Sequence, residues 1–127
     1  MAIARFQLVA LDCSDSRALA AFYSAITGWP ESTPHDDYPE WVQLVGAGGV
    51  TLAFQQVVDY RPPEWPGQEH PQQMHLDFTV PDLDAGEREV LALGAEKHQV
   101  QPSPDAFRVF LDPAGHPFCL VHDRYEV

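Results

Sequence analysis

Residues Met74–Asp84 read "MHLDFTVPDLD", and two structural periods meet in them. Leu76, Phe78 and Val80 alternate with His75, Asp77 and Thr79, which predicts a strand with one apolar and one mixed face. Pro81 and Asp82 then open the segment "PDLDAGEREVLALGA", predicted as a helix that stops at Gly94.

Upstream, "ARFQLVALDC" is predicted as a strand, and "SDSRALAAFYSAITGW" as a helix with Ser14 or Asp15 as its cap. Leu19, Phe22, Tyr23 and Ile26 form that helix's apolar stripe, and Gly28 ends it. Superposing Asp15 on Asp82 brings Leu8 onto His75, so the chain is expected to hold two copies of one unit. "EWVQLVGAGGVTLAFQQV" supplies two further strands around a turn at Gly46–Gly49, and a short strand near "PESTP" would complete the first copy. "EKHQV", "FRVFLD" and "PFCLVH" supply three strands to the second. Between the copies lies "VDYRPPEWPGQEHPQQ", a connector in which Pro62, Pro63, Pro66 and Pro71 oppose regular structure. The expected boundaries are module one at about 3–57, the connector at about 58–72 and module two at about 73–124, within one domain of 127 residues.

Sorting the strands by alternation gives the core. Leu52, Phe54, Leu76, Phe78, Val80, Phe118 and Leu120 form wholly apolar sets that must lie under the helices, each contributing roughly 1.5–3 kcal/mol on burial. The opposite faces carry His75, Asp77, Thr51, Gln55 and Cys119, and a curved sheet presenting them makes a small-molecule cup.

Seven basic and nineteen acidic residues give a net charge of −12, which repels phosphate backbones and anionic bilayers. No nucleic acid and no membrane are expected as partners. The start "MAIARFQLVAL" lacks a secretory pattern, so a cytoplasmic protein is expected, with Cys13 and Cys119 as reduced thiols.

Two such units, with "FYSAITGW" ending the first helix, "MHLDFTVPDLD" opening the second unit and "DPAGHPFCLV" closing it, resemble the vicinal oxygen chelate superfamily. Its members include glyoxalase I, extradiol dioxygenases and bleomycin-resistance proteins, and the likeness is greatest to its bacterial glyoxalase-like domain proteins. The resemblance implies an α+β fold of two tandem βαβββ modules forming a curved mixed sheet around one cup, with the helices outside. A homodimer is expected. In metal-dependent members the ion's ligands fall at positions that match Leu8, Ala53, His75 and Cys119 here, with a slip of two residues putting Gln55 in place of Ala53. Leu8 and Ala53 offer no donor, so no metal and no other cofactor is expected. A Zn²⁺ or Fe²⁺ centre built on His75, Cys119 and Asp77 is the alternative.

The candidate site is therefore His75, Asp77, Gln55 and Cys119, with His75 as the candidate catalytic acid–base group. Arg108 is a candidate partner for Asp77 if it turns inward. Trp41 and Trp65 are candidate ligand-stacking residues, and the connector carrying Trp65 is a candidate lid or dimer arm. His75 and Asp77 also have a simpler reading as a structural pair, and Cys119 as a small packing residue. His116 is expected in a turn, whereas His35, His70 and His98 carry no ligand spacing. The expected function is binding of a small, partly aromatic or polar organic molecule, for sequestration or for proton transfer by His75. The rival functions are a metal-dependent lyase, isomerase or dioxygenase, and an acidic interaction domain without a ligand.

Overall fold

The computed structural model describes residues 2–33 and 36–126. Pro34, which ends the "PESTP" segment, and His35 lie outside the described residues. The chain divides into two compact units, Met1–Tyr60 and Arg61–Val127. The connector therefore belongs almost entirely to the second unit.

The first unit runs β1 (Val9–Cys13), α1 (Ser16–Thr27), β2 (Trp41–Val45) and β3 (Thr51–Gln56), with strand order β1-β3-β2. β1 pairs with β3 in parallel, and β2 pairs with β3 antiparallel. The expected extra strand is reduced to a bridge from Glu31 to Leu44, with Ser32 N donating to Gln43 O at 2.9 Å. The second unit runs β4 (Leu76–Val80), α2 (Leu83–Ala92), β5 (Glu96–Lys97), β6 (Phe107–Leu111) and β7 (Pro117–His122), ordered β4-β7-β6-β5. The fold class is α+β, and the second order repeats the first with the edge bridge replaced by β5.

The repeat is visible in single hydrogen bonds. Asp15 Oδ1 accepts from Ala18 N at 3.0 Å and Asp82 Oδ1 accepts from Ala85 N at 3.0 Å, so the superposed aspartates are the two N-caps. Gly28 closes α1 at φ 73°, a left-handed conformation that glycine adopts without a Cβ penalty, and its N–H donates to Ser24 O.

Each helix covers the apolar face of its own sheet. In the first unit Tyr23 is fully buried and stacks on Phe54 at 5.7 Å, beside buried Leu19, Val42, Leu44 and Leu52. In the second, Phe118 stacks on Phe110 at 5.7 Å, and Leu120 is buried with them. Gly86 lets α2 approach β7 closely: a Cβ there would stand 3.1 Å from Leu120 Cδ1. Leu76, Phe78 and Val80 are only half-buried, because β4 is an edge strand with β7 as its one neighbour. Two predicted strands are shorter than expected: β5 keeps only Glu96 and Lys97 of "EKHQV", and β1 begins at Val9.

Candidate functional site

The mixed face of the second sheet is built by register. Asp77 on β4 stands opposite Cys119 on β7, and Cys119 stands opposite Val109 on β6. His75 precedes β4 by one residue, and its Nε2 lies 3.2 Å from Asp77 Oδ1. Both of those side chains reach solvent, while Cys119 is buried. Burial first, and then the charge and hydrogen bond of Asp77, push the Cys119 thiol up to about 12 from its ordinary 9.0. Near neutral pH it is a thiol donating to a carboxylate, without the thiolate a nucleophile needs.

Beside this trio lies a cavity of about 210 Å³. Its apolar lining residues are Trp65, Pro102, Phe107, Val109 and Pro117, and its polar lining residues are Gln72, His75 and Cys119. An apolar cavity of roughly 150 Å³ admits benzene, so this one has room for one substituted ring. Its Trp65 wall is braced: the indole meets the His98 ring edge-on at 5.0 Å, and His98 Nδ1 is engaged by Val100 N at 2.9 Å. The rest of the connector is also seated on the second unit. Glu64 bridges to Pro71, Glu64 N donates to His70 O, and Pro62 packs so closely on Gly115 that a Cβ there would lie 2.7 Å away.

Arg108 does not pair with Asp77. Alternation along β6 places it on the helix side, where Nη1 donates to Asp84 at 2.8 Å and approaches Glu87 at 3.5 Å, and Nε donates to Pro104 O. Trp41 and Gln55 face each other across β2 and β3 in the first unit and border a different cavity of about 340 Å³ with Tyr38 and Glu40. His116 is in the expected turn, where Asp112 Oδ1 accepts from its N–H and from Ala114 N. Cys13 is buried at the end of β1, its thiol donating to Gln55 O.

Register also decides which first-unit residue corresponds to Cys119. Leu76 pairs with Phe118 and Val9 pairs with Leu52, so the partner position one step on is Cys119 in one unit and Ala53 in the other. The slip to Gln55 does not occur. Gln72 was missed by the sequence, as was the contribution of Pro102. Phe107 and Val109 were foreshadowed only by the alternation of β6.

The donor set can be weighed against a metal ion. His75, Asp77 and Cys119 place one nitrogen, one oxygen and one sulfur within 4.8 Å of one another. In kind they suit a borderline ion such as Zn²⁺, and a sulfur donor is unsuited to Mg²⁺ or Mn²⁺. In number they fall one short of a closed tetrahedral site.

Tandem units with matching caps, matching strand order and a mixed-face cavity define a glyoxalase-like protein of the vicinal oxygen chelate type. The sequence matches the glyoxalase-like domain over residues 8–121, and the chain belongs to that family. No curated protein matches it significantly. Among solved structures, it is similar to the fosfomycin resistance protein FosX from Listeria monocytogenes, at 17% identity and TM-score 0.70 over 94% of this chain and 91% of that one. It is also similar to a glyoxalase/bleomycin resistance protein/dioxygenase family enzyme from Burkholderia phytofirmans, at 18% identity and TM-score 0.64 over 94% and 98%. A third likeness, at 23% identity and TM-score 0.57 over 96% and 98%, is to TnmS3, an antibiotic binding protein from a Streptomyces species.

Proposed function

We propose that this chain binds a small, ring-bearing organic molecule in the second-unit cavity and does so without a tightly held metal. The observation that carries this is the cavity itself: apolar walls with three polar side chains, Gln72, His75 and Cys119, bordering it. Binding there serves sequestration, or proton transfer by His75, whose imidazole stands beside the cavity with Asp77 orienting it. The likeness to a protein that binds an antibiotic and to one that confers resistance is in keeping with this role.

A second reading rests on the same trio. Zn²⁺ held by His75, Asp77 and Cys119 would keep a coordination position open, and such an ion acts as a Lewis acid or activates water. Elemental analysis of protein purified without chelators separates the two. The proposal expects less than stoichiometric metal and a thermal shift with members of a small aromatic panel. One equivalent of zinc or iron, lost in His75→Ala, would replace it with the metal-dependent reading; no metal and no shift from any compound would favour a domain without a ligand.

A further inference from the structure

Among the described residues, which include all seven lysines and arginines, no basic side chain other than His75 lines the second-unit cavity. Arg108, between the lining residues Phe107 and Val109, is turned to Asp84 and Glu87, and Lys97 pairs with Glu87 at 2.9 Å. The fixed charge at this cavity is negative. Donor atoms of His75, Asp77 and Cys119 lie within 4.8 Å of one another, and His75 and Cys119 belong to the lining, so the Asp77 carboxylate stands at the rim. Its side chain is 55% exposed, which leaves it within reach of a bound molecule. Among the described residues no lysine or arginine lies within ion-pair distance of it, and the neighbouring imidazole carries charge only when protonated.

We propose that this cavity takes a cationic single-ring ligand, an aryl amidine or arylalkyl amine, its charged group paired with Asp77 at the rim and its ring among the apolar lining residues. The inference rests on the binding role proposed above and adds the charge of the molecule bound. An ionised carboxylate offers about four lone-pair positions. The Cys119 thiol takes one and the His75 imidazole faces a second, so positions remain for the N–H donors of a ligand. An anion brought to the same rim meets the carboxylate with no lysine or arginine to offset it, and a neutral ring forgoes the pairing. Behind the rim, Trp65 and Phe107 supply aromatic rings, whose negative faces attract a cation. The Trp65 ring is held before any ligand arrives, edge-on to His98 at 5.0 Å. The net charge of −12 draws cations to the whole chain, so the contribution of Asp77 is separated from that general field by comparing carboxylates at and away from the cavity.

The test uses three probes of one shape and different charge: benzamidine as the cation, neutral benzamide, and benzoate as the anion. Each is titrated into the ¹⁵N-labelled full chain at mildly alkaline pH, where free imidazole is neutral. Shifts of the Trp65 indole N–H and of the His75 and Cys119 backbone amides report occupancy of the cavity. The expected order is benzamidine, then benzamide, then benzoate, with about fivefold between successive members, the upper range for a part-exposed ion pair. Asp77→Asn keeps the shape of the side chain and should level benzamidine with benzamide. Glu89→Gln, on the exposed side of α2, removes the same charge and should leave the order intact. Equal affinities for the three probes with the cavity signals shifting, or a benzamidine preference that survives in Asp77→Asn, would overturn the role of Asp77 and leave the binding function standing. If no probe moved those signals, the binding function would fall and this inference with it.

Discussion

Asp77 stands directly opposite Cys119 in the parallel pairing of β4 with β7, and the thiol gives its proton's hydrogen bond to that carboxylate. Two consequences follow from the same contact. The carboxylate opposes ionisation of the thiol, and it is shared with His75 at 3.2 Å.

Replacing Asp77 by Asn removes the carboxylate charge from the causes of the Cys119 shift, keeps an oxygen that can accept from the thiol, and leaves burial, the largest cause, in place. The thiol should therefore ionise at lower pH than in the parent, yet still above its ordinary value. Iodoacetamide alkylation followed across pH, with peptide mapping to separate Cys119 from Cys13, reads this directly. An unchanged profile would mean that the charge of Asp77 plays no part in holding the thiol protonated.

Cys119 also makes stability depend on pH in the alkaline range. Its folded value, about 12, lies above the ordinary 9.0, so the folded state binds the proton more tightly than the unfolded chain does. That contribution is complete below about pH 9 and is lost as pH rises towards 12. Urea midpoints should fall across this window in the parent and fall less in Cys119→Ala, whose overall stability is lower at neutral pH because a buried side chain has been shortened.

Arg108 tests the opposite face. Its guanidinium joins β6 to Asp84 and Glu87 of α2, with Asp84 largely exposed and Glu87 mostly covered. Arg108→Met keeps most of the stem and removes the charge, so it should cost about 1–2 kcal/mol in urea denaturation. The binding of benzamide should be unaffected. A loss of binding at unchanged stability would place Arg108 at the site after all.

How much of this was legible beforehand follows from period and range. Alternation in "MHLDFTV" and "PFCLV" put His75, Asp77 and Cys119 on one face, and the structure joins them within 4.8 Å. The expected Arg108–Asp77 pairing overlooked the alternation of "FRVFLD", which sets Arg108 on the face of Phe110, towards Asp84 and Glu87 of α2. Gln72 had no such signal. Its position depends on contacts of the connector with Gly115 and His98, more than thirty residues further on in the chain, and a proline-rich segment carries no periodicity from which to read them. Alternation in "VTLAFQQ" put Gln55 on a mixed face, and with Trp41 it borders a cavity within the first unit.

Gly46 offers a last check, on the turn that was read from "GAGG". Its backbone, at φ −86° and ψ 160°, suits any residue, so conformation does not require glycine there. Space does: a Cβ would lie 2.6 Å from Val50 O and 2.8 Å from the Trp29 ring. The Val50 oxygen is backbone and already accepts from Gly46 N at 2.7 Å, so it cannot retreat without breaking the closure of the turn. Gly46→Ala should destabilise the chain by about 1–3 kcal/mol. Gly48→Ala separates sterics from strain, because its left-handed φ of 75° costs roughly 1–2 kcal/mol with nothing within 4 Å to meet the new methyl. Shortening Trp29 to Leu in the Gly46→Ala background should recover part of the loss, the carbonyl contact remaining, whereas the same change should recover nothing in Gly48→Ala. Urea denaturation of the parent and the four variants decides it, and full recovery in the first background would assign the whole cost to the indole ring.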